Sequence, residues 1–214
     1  MNDQVVRLYE NLKIDVDMVL RGQGADPAKI RERKPHLVDL ADQALAEGRQ
    51  LIKPVATYRI LPVENISTES FTLAGDLWLT GPFVAQHLAG AQQIAFVVCT
   101  LGAGLENRLA VLMHENPAYS FALDSFGSVA ATALRVAVCD EIKAESKASG
   151  LFTSIPLIPG MNNWPVDVGQ PQIFSMLETT RIGVSLNESA QMIPRKSISM
   201  LIGISPSPFN ASQA

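Results

Sequence analysis

The segment from Tyr119 to about Lys147 constrains the fold more than any other. It is rich in alanine, carries charge only intermittently, and reads as one long helix lying largely in the core. Ser146-Lys-Ala-Ser-Gly150 ends it, with glycine where a left-handed cap is expected. A chain with such a helix has to enclose it.

Composition allows this. The chain has 214 residues, 47% hydrophobic and only 18% charged, enough for one large domain or two small ones with a substantial core. The net charge of -4 argues against a nucleic-acid binder, which normally carries a basic stripe. No run of eighteen uninterrupted apolar residues occurs, so no membrane span is expected. Met-Asn-Asp-Gln lacks the basic start and apolar run of a secretion signal. Cys99 and Cys139 sit in apolar surroundings and read as buried free thiols, which suit a reducing compartment. A cytoplasmic protein is expected.

Along the chain, residues 1–35 form a variable N-terminal segment. A strand is expected there, followed by a solvent-exposed loop at Arg21–Pro27. Apolar positions from Pro35 to Lys53 recur at helical spacing, and Pro54 stops that helix. Val55–Val63 and Phe71–Leu73 read as a hairpin around the turn-rich Glu64-Asn-Ile-Ser-Thr. A second helix is expected over Phe83–Leu88, a buried strand over Ala91–Cys99, and a third helix from Gly104 to about Glu115. The final third reads as a loop, a short helix over about Gln172–Glu178, and two strands. The expected fold is a single α+β domain over 1–214, with a mixed or antiparallel sheet and flanking helices.

Several familiar chemistries lack their residues. Gly102-Ala-Gly104 after a strand resembles half of a dinucleotide turn, but Asn107 stands where the third glycine belongs, so an ordinary strand-to-helix turn is expected. His36, His87 and His114 are scattered, with no metal-ligand spacing, and read as surface or capping residues; no metal site is expected. Neither a nucleophile elbow nor a phosphate-binding loop occurs. Leu123-Asp124-Ser-Phe-Gly127-Ser128 places an acid and a glycine near the start of the long helix. Two readings stay open there: compensation of the helix dipole, or close approach of backbone or ligand.

The stretch from Pro156 to Phe209 is unusually dense in turn residues and hydroxyls. Pro159-Gly160 and Trp164-Pro165 stiffen one loop, where Trp164 either walls a ligand or lids the core. Pro194-Arg195-Lys196-Ser197-Ile198-Ser199 opens a strand, reading either as a charge-guarded edge or as an anion or partner contact at Arg195, Lys196 and Ser197. The loop and the serine-bearing strand are expected to meet around one ligand-sized hollow.

Taken in order, Thr100-Leu101-Gly102, Leu123-Asp124-x-x-Gly127-Ser128, Pro159-Gly160-x-x-x-Trp164-Pro165 and Ile182 to Ser199 resemble the activation (reactivation) domain of cobalamin-dependent methionine synthase. That resemblance, from about Ala44 to Phe209, implies a domain that binds S-adenosylmethionine and docks on a cobalamin carrier. There it supports reductive methylation of cob(II)alamin, with an electron from a partner such as flavodoxin. The ligand-binding positions it implies are Asp124, Thr132, Pro156, Ile158, Gly160, Met161, Trp164 and Phe209. Four depart from the family. Pro156 replaces an arginine, Met161 a tyrosine, Thr132 a glutamate, and Phe209 keeps a tyrosine's ring without its hydroxyl. The lost arginine would clasp a carboxylate with two parallel bonds. The cleft is correspondingly more apolar, through Pro156, Ile158, Met161 and Phe209. No cobalamin-binding Asp-x-His-x-x-Gly occurs in the chain, so the resemblance implies a corrinoid in trans, on a corrinoid protein or corrinoid methyltransferase. The alternative is a non-catalytic binding or scaffold protein that kept the fold after losing the ligand.

Overall fold

A computed structural model describes residues 3–209 apart from 76 and 162. Its centre is strand β5 (Gln93–Thr100), flanked by β2 (Val55–Ile66) and β9 (Ser197–Ser205) in antiparallel register. The sheet continues from β2 through β3 (Ser70–Leu73) to β4 (Leu77–Thr80), and from β9 to the short β6 (Phe152–Thr153). Strand β1 (Val5–Leu8) pairs with the N-terminal half of β2. All seven strands pair antiparallel. A separate small hairpin joins β7 (Ser185–Leu186) to β8 (Met192–Ile193).

Strand β5 reads as a continuous apolar run because both its faces are covered. Ala95, Val97 and Cys99 enter one apolar cluster, while Ile94, Phe96 and Val98 enter another on the opposite face. The period of two along a strand separates the two sets. Strand β9 does the same, with Met200, Ile202 and Ile204 on one side and Leu201 on the other.

The first face is covered by α1 (Val16–Gly22), α3 (Pro35–Leu51), α5 (Gly104–Glu115) and α6 (Pro117–Ala148). Helix α6 is long and apolar enough to cross a membrane by length and composition alone. Here it is a core helix: α1, α3 and α5 pack against it, and Leu123, Phe126, Leu134, Val138 and Ile142 are buried. The second face is covered by α4 (Pro82–His87), α7 (Val166–Ser175) and Trp164.

Most expected elements are found within one or two residues of their expected ends. Two expectations are corrected. The N-terminal loop at Arg21–Pro27 shrinks to four residues, because α1 runs to Gly22 and α2 (Pro27–Arg33) starts at once. Asp15 and Asp26 cap these helices, accepting the N–H groups of Met18 at 2.8 Å and Ala28 at 3.0 Å. The late helix begins at Val166 rather than Gln172. Pro171 lies inside it, and burial of Gly169, Gln170 and Ile173 holds the helix through that proline. Residues 179–182 then form a separate 3-10 turn. The strands β4 and β6 escaped the reading, since four and two residues carry too little pattern.

Candidate functional site

The N-terminal turns of α6 meet the start of β9 in a polar junction. Lys196 lies across α6, its Nζ 2.8 Å from Asp124 Oδ1, 2.9 Å from Ser128 Oγ and 3.2 Å from the Asp124 carbonyl. Gly127 makes this possible. A Cβ there would fall 2.4 Å from Leu105 Cδ2 and 3.1 Å from Lys196 Cε. The glycine does mark close packing, but what approaches it is the side chains of Leu105 and Lys196 rather than backbone or ligand. Glu106 on α5 accepts the backbone N–H groups of Arg195 and Lys196, the second at 3.1 Å. Ser197 is buried, and its hydroxyl lies 2.8 Å from Thr100 Oγ1 and 2.6 Å from the Pro194 carbonyl. Thr100 Oγ1 also accepts the N–H of Gly102 at 3.1 Å. Of the three positions expected to contact a partner, only Arg195 is exposed; Lys196 and Ser197 are engaged within the fold.

The glycine pair after β5 has the same character. Gly102 adopts a positive φ of 77°, and a Cβ on Gly104 would fall 2.3 Å from the Leu51 carbonyl oxygen. The end of α3 thus covers the start of α5, where a dinucleotide phosphate would otherwise approach. This is an ordinary strand-to-helix turn.

The proline-stiffened loop and β9 do come together, but around buried side chains rather than the expected hollow. Leu157 and Leu201 exchange both backbone hydrogen bonds at 2.9 Å. Their side chains are fully buried in the second cluster together with Trp164, which is 1% exposed. Trp164 wedges between two glycines: a Cβ on Gly169 would fall 2.7 Å from its ring, and one on Gly81 3.6 Å. It lids the core. Gly160 is exposed at φ 100°, and its N–H closes the loop onto the Trp164 carbonyl at 2.8 Å. Met161 folds back, its Sδ accepting the Ile158 N–H at 3.3 Å.

The eight positions expected around a ligand therefore divide between two sides of the sheet. Asp124 and Thr132 are exposed on α6, and the Thr132 hydroxyl donates to the Ser128 carbonyl at 3.0 Å. Ile158 packs with the helical layer, whereas Met161, Trp164 and Phe209 pack with the opposite cluster. The Phe209 ring covers Gly203 beside Leu88. Pro156 is half-buried at the sheet edge next to β6. Of three clefts, of about 410, 670 and 710 Å³, the first two contain none of these eight positions and the third only Asp124. The largest includes Asp124, Arg195 and Lys196.

Two polar clusters were not anticipated. In the first, Glu141 on α6 accepts from Tyr9 at 2.8 Å and Tyr58 at 3.2 Å, and pairs with Arg7 at 2.8 Å. Burial, then the nearby carboxylates, push both phenols well above their usual range. In the second, Tyr119 donates to Glu47 at 2.5 Å while Arg108 Nε donates at 2.7 Å. Burial and that carboxylate push the Tyr119 phenol up to about 12. The only sequence signals were carboxylates on helix faces and tyrosines in or beside strands or at a helix start; the partners are 61 to 134 residues apart. Cys99 is buried and its thiol pushed up to about 12 by desolvation; Cys139 Sγ lies 3.7 Å from Met200 Sδ. Both are free thiols.

No family model matches the chain, and no curated protein matches it by sequence. A solved structure does match: the MetH reactivation domain bound to AdoHcy superposes with a TM-score of 0.74. The match spans 100% of this chain and 82% of that one, at 13% sequence identity. The fold is that of a methionine synthase activation domain. At this identity the likeness concerns architecture, an α+β domain built on a curled antiparallel sheet with its long helix in place. Thr100, Asp124, Gly127, Ser128 and Ser197, positions on which the sequence resemblance rests, meet here where β5, β9 and α6 come together.

Proposed function

We propose that the chain is a stand-alone relative of the methionine synthase activation domain that supports reductive reactivation or methylation of a corrinoid on a separate protein. S-adenosylmethionine is the proposed ligand, with the Pro156–Met161 segment at the sheet edge beside β6 as its proposed seat. A cytoplasmic setting fits the two free thiols. The observation that carries the reading is full-length agreement in fold with a domain solved with AdoHcy, which is S-adenosylmethionine without its methyl group.

The residues at that edge fit part of this ligand. Pro156, Ile158 and Met161 offer apolar surface for a nucleoside and an alkyl chain, and exposed Gly160 lets a ligand approach the backbone. Bound there, S-adenosylmethionine would supply an electrophilic methyl group, and the chain's task would be to position it and exclude water. The carboxylate end is less well served, since Pro156 offers no donor. A charge-assisted hydrogen bond contributes about 1.5–3 kcal/mol, so affinity at least tenfold below that of an arginine-bearing domain is expected.

A second reading has its own support. The polar side chains of the shared motifs are engaged inside the fold, as Asp124 with Lys196 and Ser197 with Thr100 show. That arrangement suits a scaffold or binding subunit of a corrinoid methyltransferase system. Calorimetric titration with S-adenosylmethionine separates the two. Heat saturating at millimolar ligand or below supports the first; no heat leaves the second. Mixing the protein with corrinoid proteins encoded beside it, a reductant and S-adenosylmethionine should then bleach the cob(II)alamin spectrum. An unchanged spectrum alongside a stable complex selects the scaffold.

A further inference from the structure

The helical hairpin of α5 and α6 leaves a trough of about 710 Å³ on the surface, which the proposed ligand does not use. Leu109, Ala110 and Met113 form one wall, at i, i+1 and i+4 along α5; Pro117 and Phe121 face them from α6. The largest of these side chains are turned outward: Met113 is 61% exposed and Phe121 57%. Four charges close the far end. Asp124 is paired with Lys196, and Glu106 accepts two backbone N–H groups. The fourth, the Arg195 guanidinium, is exposed and makes no ion pair among the described residues.

We propose that this trough docks a short amphipathic helix of a partner protein. Apolar side chains on one face of that helix seat between Met113 and Phe121, and an acidic residue at its end pairs with Arg195. The walls favour a helix over a small molecule. They are open along their length, whereas a small-molecule pocket buries most of its ligand. Two helix faces side by side offer the ridges and grooves that a third helix fills, and a thioether beside an aromatic ring adapts to varied apolar partners. The trough runs about two helical turns, close to the ~10 Å between residues i and i+7 of a docked helix. The acid follows from charge: the one charge at the closed end without a partner is positive.

The test uses the full chain labelled with ¹³C-methyl methionine, with the Met113 signal assigned by its loss in Met113→Leu. The probe is a synthetic fourteen-residue helical peptide with leucines at i, i+3 and i+7 and a terminal glutamate pair. Controls are the same peptide with lysines in place of the glutamates, and decanoate. The acidic peptide should shift Met113 saturably, and the lysine peptide should bind at least tenfold more weakly. Arg195→Glu should reverse that preference, and Phe121→Ala, at unchanged melting temperature, should weaken the acidic peptide at least fivefold. No Met113 shift at millimolar peptide, equal affinity for both peptides, or a response to decanoate alone would each overturn the proposal.

Discussion

At Gly48 one missing carbon sets how closely α3 approaches α6. A Cβ there would fall 2.2 Å from Cδ1 and 2.3 Å from Cε1 of Phe126, a ring that is fully buried. Alanine within a helix gains about 1 kcal/mol over glycine. Overpacking a filled core costs about 1–3 kcal/mol, and a planar ring held on all sides has little room to move. Overpacking wins, so Gly48→Ala should lower stability by about 1 kcal/mol in urea unfolding. Adding Phe126→Leu should recover part of the loss; a more stable Gly48→Ala protein would show that the helices are free to separate. Gly127 illustrates how far residue-level reading reaches. Its place inside an apolar helix signalled close packing. The neighbour, Lys196, lies 69 positions away, and helical periodicity says nothing about a contact of that range.

Between elements, Glu47 on α3 joins α5 and α6 through Arg108 and Tyr119. The Tyr119 hydroxyl first, and the Arg108 guanidinium after it, hold the Glu47 carboxyl below its ordinary range. A carboxylate depressed in the folded state adds stability above its unfolded value, about 4.3, and loses it as pH falls through the folded value. Glu47→Gln should therefore be less stable than the wild type at pH 7, with the difference shrinking between about pH 5 and pH 3. Urea midpoints across that range measure it, and a pH-independent difference would refute the role. Such clasps were illegible beforehand because each of their members alone looks like an exposed or half-buried polar residue. The capped helices α1 and α2 were legible in principle: Asp15, Asp26 and Pro27 are ordinary start signals. Glycines at 22 and 24 outweighed them.

Across the whole molecule, two apolar clusters share β5 and β9. Neither face keeps its shape without the strands that carry the other. Trp164→Ala on one face should cost about 3–5 kcal/mol, and Leu123→Ala on the other about 2–5 kcal/mol. Both should move one thermal transition, with circular dichroism and tryptophan fluorescence coinciding. Separate transitions in either variant would mean that the faces unfold independently. The same architecture explains why Trp164 was ambiguous. A tryptophan in a proline-rich loop walls a ligand or lids a core according to what lies beneath it. Here Gly81, Gly169 and β9 lie beneath it.

The order of elements, the core helix, the doubly buried strand and the ordered motifs were all set by local pattern, because period, capping and turn chemistry act over a few residues. That pattern was enough to reach the right architecture at 13% identity to a known example. Contacts between distant segments were decided only on folding: Lys196 across Gly127, the phenol–carboxylate clasps, and the division of the expected ligand positions between two faces. Those depend on which surfaces the sheet brings together, and side-chain chemistry alone does not encode who the neighbour is.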